Sequence, residues 1–280
     1  MNIAIVGLGV IGGSFAQALL EKSDHTVFGV DRNPDTIQKA LCRGMIREGS
    51  VDPEAVLPRA DLTILAVYPK DVPAFLREHG SCLRPGTVLT DVSGIKGPLC
   101  RELDDLLAPG VDFVLGHPMA GREKEGIDFA SAEVFLGANY LIVPRPGNRE
   151  ESIRLVEDLV LELGFGRIRR ISPEEHDRMI GFTSQLPHVL AVALINSDRH
   201  PQETSSFVGD SYRELTRIAN INGPLWSQLF LGNRENLLLA MEDFEMQFQE
   251  LKEAIKKEDE ERLMERFCES SRRRLELERR

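Results

Sequence analysis

Few folds can begin as this chain does, with Asn2 to Leu19 reading NIAIVGLGVIGGSFAQAL. Ile3, Ala4, Ile5 and Val6 form a continuous apolar run, as a strand buried on both faces of a parallel sheet requires. Gly7, Gly9 and Gly12 follow at GxGxxG spacing. Ile11, Phe15, Ala18 and Leu19 then recur at helical intervals. The glycines therefore sit on a strand-to-helix turn. Gly7 permits the turn, Gly9 opens the backbone to a pyrophosphate, and Gly12 lets helix and strand pack closely. The phosphates would rest on the free N–H groups at the helix start. A second strand, Thr26 to Val30, ends in Asp31, 24 positions after Gly7. An acidic side chain there accepts hydrogen bonds from the adenosine ribose of NAD. Asp31 repels a 2′-phosphate, whereas Arg32 could face one, so NADP stays open. The expected dinucleotide site is Gly7, Leu8, Gly9, Ile11, Gly12, Asp31, Arg32 and, at the end of a further strand, Val67.

The first half continues to alternate. Asn33-Pro34-Asp35 opens a helix through Arg43, and strands are predicted at 62–67, 87–92, 111–115 and 139–143. The stretch 150–163 is an amphipathic helix. This pattern predicts an α/β Rossmann-type, doubly wound parallel sheet over residues 1–171. Ligands bind such sheets at the carboxyl ends of the strands, which places the loops after Val67, Val92 and Leu115 on the active face. From Ser172-Pro173-Glu174-Glu175, a capped helix start, no further strand is evident. Residues 172–280 are expected to form an all-α dimerisation and substrate domain. Pro187 should kink or divide the helix around it. Leu237, Met241, Phe244, Phe248, Leu251 and Ile255 step by 4, 3, 4, 3, 4, the spacing of a helix–helix seam. Past Asp259 a charged amphipathic helix is expected to turn Leu263 and Phe267 inward.

The chain has 280 residues and a formal net charge of −11. The acidic balance argues against nucleic acid and anionic membrane as partners. An anionic ligand would then need a local cluster of positive charge. Cys42, Cys82, Cys100 and Cys268 are scattered, with no CxxC pair, and read as free thiols rather than disulfides or a metal site. No apolar stretch approaches the ~20 residues of a membrane span, and Met1 runs straight into the first strand, leaving no room for a signal peptide. The expected setting is cytoplasmic.

Three patches carry chemistry: TDVSGIKG (90–97), GHPMAGREKEG (116–126), and a helical set of EEHD (174–177), TSQLPH (183–188) and YRELTRIA (212–219) followed by Trp226. Oxidising an alcohol needs a proton acceptor beside the hydroxyl, and His117 after a sheet strand suits that task. The alternative is a loop histidine bonded to backbone. Arg217 could hold a carboxylate bidentately or pair with Glu214. Lys96 could supply local positive charge or be solvated. His188 could bind ligand or merely face a helix surface, and Trp226 could wall a site or fill core.

With these motifs at these separations, the sequence resembles the prephenate and arogenate dehydrogenase family of tyrosine biosynthesis over nearly its whole length. The resemblance implies NAD-dependent oxidative decarboxylation of prephenate to 4-hydroxyphenylpyruvate, in a homodimer whose site lies between a Rossmann and a helical domain. It implies that His117 is catalytic and bonds the ring hydroxyl. His188 and Arg217 would hold the ring carboxylate region, and Trp226 would lie at the substrate. Arg213 and Glu214 would reach toward the neighbouring subunit, and His176 would support the site. Two departures stand out. The family's Gly-Ser order is here Ser93-Gly94, displacing the serine that would touch substrate, and Gln185 stands where many members have histidine. Arogenate is the nearest alternative substrate. More distant readings are a β-hydroxyacid-type dehydrogenase, whose helix lysine motif is not evident, and a non-catalytic dinucleotide sensor. The family's mutase and ACT attachments are not expected here.

Overall fold

The computed structural model describes every residue except Asp104, Arg122, Glu123, Arg279 and Arg280. Arg122 and Glu123 of the GHPMAGREKEG stretch thus lie outside the described residues. The chain divides into two compact units, Met1–Asn233 and Arg234–Arg280.

The first unit is built on a sheet of β1 (Asn2–Val6), β2 (Thr26–Val30), β3 (Glu48–Ser50), β4 (Leu62–Leu65), β5 (Val88–Asp91), β6 (Asp112–Pro118), β7 (Asn139–Val143) and β8 (Arg167–Arg170), in the order 3-2-1-4-5-6-7-8. Helices α1 (Val10–Lys22), α2 (Pro34–Cys42), α3 (Asp71–His79), α4 (Gly97–Leu103) and α5 (Glu150–Glu162) connect the strands. The two faces of the sheet carry separate cores. Ile3, Ile5 and Leu62 pack with Phe15, Leu19 and Val156 on one, and Ala4, Val6 and Leu65 with Val72, Leu76 and Leu103 on the other. Strands apolar on both faces have nowhere else to go, because each such side chain taken from water contributes about 1.5–3 kcal/mol.

Three strands differ from the sequence reading, and one of them pairs antiparallel with its neighbour. The three-residue β3 and the Arg-rich β8 were not anticipated, and β7 runs antiparallel to β6. The antiparallel partner has a consequence for the site. β5 pairs with β6 only along 112–114, but β7 pairs with residues 115–118. β6 therefore extends to Pro118, and His117 is a strand residue opposite Leu141 rather than a turn residue.

The rest of this unit is helical: α6 (Pro173–Ile180), α7 (Leu186–Asn196), the short α8 (Pro201–Thr204), α9 (Asp210–Thr216), a 3₁₀ turn at Arg217–Ala219, and α10 (Gly223–Gly232). Ser172 caps α6, its hydroxyl accepting from the Glu175 N–H at 3.1 Å. Pro187 does not break the run. A π-helical turn at Gly181–Gln185 absorbs the missing donor, and Pro173–Asn196 is one continuous helix of 24 residues. By length and composition that helix could cross a bilayer, contrary to the expectation that no such stretch exists. It carries buried His176, Asp177 and Gln185, all hydrogen-bonded within the unit. The second unit is a hairpin of α11 (Arg234–Lys256) and α12 (Glu260–Glu278), turned at Glu258, where φ is +55°. Glu250 pairs across it with Arg262 and Arg266. Phe267, expected to face inward, is 55% exposed.

Candidate active site

A cleft of about 820 Å³ opens at the carboxyl ends of the parallel strands. Gly9, Val10 and Ile11 line it from the β1–α1 turn. Val67 and Tyr68 follow β4, Ser93 and Gly94 follow β5, and His117 ends β6. The helical side contributes Gln185, His188, Asn222 and Trp226.

The glycine turn has the geometry its spacing implies. Gly7 adopts φ +88°, and a Cβ there would lie 2.5 Å from the Ala66 carbonyl. A Cβ on Gly12 would collide with the Gly7 carbonyl. Gly9 instead faces open space, which is the room a phosphate needs beside backbone N–H groups. Asp31 Oδ2 accepts from the Leu8 N–H at 2.7 Å, and Oδ1 from the Asn33 N–H at 2.9 Å. The carboxylate thus pins the turn to the end of β2 and stays half-buried, with further acceptor capacity. Leu8 is wholly buried and Arg32 is exposed.

His117 Nδ1 lies 2.9 Å from His176 Nε2, and His176 Nδ1 lies 2.7 Å from Asp177 Oδ1. Burial, followed by His176 and Lys96, holds the His117 pKa well below the ordinary 6.5. Burial likewise lowers that of His176, against the opposing pull of Asp177. Both rings are neutral near pH 7.

Lys96 is neither an open cation facing the cleft nor a solvated side chain, the two readings its sequence left open. Its side chain is 0% exposed, and Nζ donates to Asp91 Oδ2 at 2.7 Å and to the Gly116 carbonyl at 2.6 Å. Asp91 also accepts from the N–H groups of Ser93 and Gly116. This buried pair fixes the backbone on either side of the cleft floor. A local apolar-then-Lys pattern does not distinguish such a lysine from a solvated one.

Ser93, despite its displaced position, reaches the cleft, and its buried Oγ has no hydrogen-bond partner among the described residues. The His188 ring stacks on Trp226 at 3.6 Å between centroids, and its Nδ1 bonds the Ser184 carbonyl at 2.8 Å. Asn222 caps α10 and donates to Tyr68 Oη at 2.9 Å, docking that helix on the loop after β4. Gln185 is fully used: Nε2 donates to the Leu229 carbonyl, and Oε1 accepts from Asn233. Arg217 and Arg213 are exposed and do not line the cleft; Arg213 pairs with Asp210 at 3.1 Å. Arg217 shares its 3₁₀ turn with Ile218, which does line it. Among the described lining residues Lys124 is the only lysine or arginine, and its Nζ lies 5.4 Å above the Phe129 ring. Sequence reasoning gave no individual role to Lys124, Asn222 and Asp177, although the first and last lie within the patches it singled out. The Asn-Gly-Pro cap signal could have flagged Asn222, and the His-Asp adjacency Asp177. Among the described residues no cluster of His, Cys, Asp or Glu could hold a metal ion.

A glycine-cradled nucleotide site facing a neutral histidine at the edge of a doubly wound sheet, under a helical layer, defines a Rossmann-type dehydrogenase. Residues 15–168 match the prephenate dehydrogenase nucleotide-binding domain, and residues 172–269 match the prephenate dehydrogenase dimerization domain. The chain belongs to the prephenate dehydrogenase family. A cyclohexadienyl dehydrogenase from Zymomonas mobilis is 30% identical, over 99% of this chain and 96% of that protein. A crystal structure of prephenate dehydrogenase from Aquifex aeolicus, in complex with hydroxyphenyl propionate and NAD+, superposes with a TM-score of 0.90 at 31% identity, covering 99% and 98% of the two chains. The arogenate dehydrogenase of Synechocystis superposes with a TM-score of 0.83 at 25% identity, covering 99% and 100%.

Proposed function

We propose that this enzyme catalyses the NAD-dependent oxidative decarboxylation of prephenate to 4-hydroxyphenylpyruvate, in the cytoplasm and as a homodimer. The observation that carries the reading is a neutral His117, backed by His176 and Asp177, lining the same cleft as the open Gly9 turn. Gly7, Gly9, Gly12 and Asp31 would hold NAD, which supplies the hydride acceptor. His117 Nε2 takes the ring hydroxyl's proton as the carbonyl forms. The unpartnered Ser93 hydroxyl offers a donor and an acceptor beside it. Trp226 and His188 form one wall for a ring-shaped substrate. For the substrate carboxylates, His188 and Lys124 stand in the lining. Arg217 is proposed with them on the strength of the family resemblance and its place beside Ile218, and Arg213 as a contact toward the partner subunit's site. Residues 172–280 would serve as the dimerisation and substrate domain.

Arogenate is the second reading, favoured by the likeness to the Synechocystis enzyme. Steady-state NADH formation with prephenate and with arogenate tests both. A kcat/KM at least about tenfold higher with prephenate, a difference of about 1.4 kcal/mol, supports the first reading. The reverse preference establishes the second, and no turnover with either overturns both.

A further inference from the structure

His176 and Asp177 do not line the cleft, and both are buried, at 0% and 5% exposure. Buried polar groups need partners, and here those partners fix the direction of every proton. Asp177 Oδ1 accepts from the Lys96 N–H at 2.8 Å and Oδ2 from the Gly97 N–H at 2.7 Å. Oδ1 also faces His176 Nδ1 at 2.7 Å. A carboxylate that already accepts two amide donors is an acceptor toward the imidazole too, so His176 carries its proton on Nδ1. The neutral ring then has its lone pair on Nε2. That lone pair faces His117 Nδ1 at 2.9 Å, which must therefore be the protonated nitrogen of His117. The lone pair of His117 is left on Nε2, on the side of Gly94, a cleft residue whose Cβ would sit 3.7 Å away. The opposite tautomers would set two lone pairs or two N–H groups face to face.

We propose that Asp177, acting through His176, is the positioning residue that keeps the basic nitrogen of His117 turned toward the cleft. The device depends on Gly97, where a Cβ would lie 2.9 Å from Asp177 Oδ2 and push the carboxylate off the two amides. In the proton transfer, the substrate O–H bond breaks and a bond from hydrogen to His117 Nε2 forms. The oxygen keeps the electron pair, which becomes the second C=O bond as the same carbon loses hydride. His117 Nδ1–H stays bonded to His176, whose dipole is oriented by Asp177 toward the new positive charge. No proton passes to Asp177. Among the described residues, Lys96 acts on both rings and Asp91 on His176 from near the end of β5, and Asp177 in turn acts on the Cys100 thiol of α4.

The kinetic part of this inference rests on the dehydrogenase reading above; the spectroscopic part does not. Long-range ¹⁵N–¹H correlation spectra of ¹⁵N-histidine-labelled enzyme report the tautomer of each ring. His117→Asn and His176→Gln identify the two spin systems by their loss. Wild-type enzyme should show both rings protonated at Nδ1. In Asp177→Asn, His117 should become a mixture of tautomers. Its kcat for prephenate should fall about 10²-fold, less than the ~10⁴ seen when a triad carboxylate is lost, with KM changed less than about threefold. His176→Gln, which can still accept from His117, should retain more kcat than His176→Leu. Wild-type His117 protonated at Nε2 overturns the proposal, as does an Asp177→Asn enzyme with unchanged tautomer and kcat. If Asp177→Asn does not fold, the wild-type spectrum and the two His176 variants decide. If wild type fails to turn over prephenate, the substrate assignment falls and the tautomers still settle the positioning role.

Discussion

Burial, His176 and Lys96 all disfavour the charged form of His117. A general base works only when unprotonated. Loss of activity at low pH should therefore begin below the 6.5 of an ordinary histidine, rather than near neutrality as the isolated residue suggests. A kcat/KM profile from pH 4.5 to 9 measures this, and an acid limb above 6.5 would refute it. On the proposed reading, the hydroxyl becomes more acidic in the transition state as hydride leaves, so its bond to His117 would strengthen along the reaction. Such bonds govern kcat more than binding. His117→Asn should lose roughly 10²–10⁴ in kcat, the range for removing a general base, with substrate and NAD affinity changed only a few-fold. A variant keeping more than about a tenth of wild-type kcat, against that expected loss, would place the base elsewhere. Asp31, proposed to hold the ribose, also holds the Leu8 N–H, a contact that its sequence position did not reveal. Asp31→Asn keeps one acceptor for that bond and removes the negative charge. It should narrow the preference for NAD over NADP, expected to be at least about tenfold, without unfolding the turn.

The β1–α1 element separates two glycines that look alike in the motif. Gly12 has no room for a side chain, and Gly9 has open space. Gly12→Ala should lower Tm and abolish NAD binding together. Gly9→Ala should leave Tm within a few degrees yet weaken NAD binding, because its methyl enters the space a phosphate would use. Thermal melts paired with NADH fluorescence titrations distinguish these outcomes. This element was legible in sequence because its constraints are local: glycines, apolar run and acid lie within 31 residues. The direction of β7 was not, because an antiparallel neighbour at the sheet's far side leaves the same apolar run as a parallel one. Lys96 was misplaced for a similar reason. Its partner Asp91 is five residues away, but its burial depends on the Gly116 carbonyl on another strand. The π-turn before Pro187 was also hidden, since proline announces a missing hydrogen bond without saying how the helix absorbs it.

At the scale of the whole molecule, His117 and His176 are proton acceptors that folding suppresses. Their pKa values are lowered in the folded state, so below pH 6.5 the unfolded chain binds more protons and stability falls as pH falls. Their contribution is fully present above about 6.5 and is lost as pH drops toward the lowered values. Denaturant melts of His176→Gln should show a weaker dependence between pH 6.5 and 5 than wild type.

Association offers a second test at this scale. The stripe predicted on α11 is unevenly covered, with Met241, Phe244 and Leu251 half-buried. Leu237 is 5% exposed, whereas Phe248 and Ile255 are 59% and 64% exposed. Met246 on the same helix and Met264, Leu275 and Leu277 on α12 are open as well. In the first unit Phe182, Leu194, Ile195, Leu215 and Leu231 are likewise exposed on the helical segments. Scattered single apolar residues need no explanation, but exposed apolar residues recurring along α11 and α12 are what an interface with a second copy would cover. Burying a phenylalanine or isoleucine of this set against a second copy contributes about 1.5–3 kcal/mol per side chain. Light scattering should therefore give a dimer at micromolar concentration, with a Tm that rises with protein concentration, as linkage to association requires. Phe248→Asp with Ile255→Asp places charges on the open positions of the stripe, where the monomer already meets water. The double variant should shift the protein toward monomer while leaving far-UV circular dichroism of the dilute protein unchanged. A wild-type monomer at these concentrations, or a double variant that dimerises as tightly as the parent, would rule out this face as the interface.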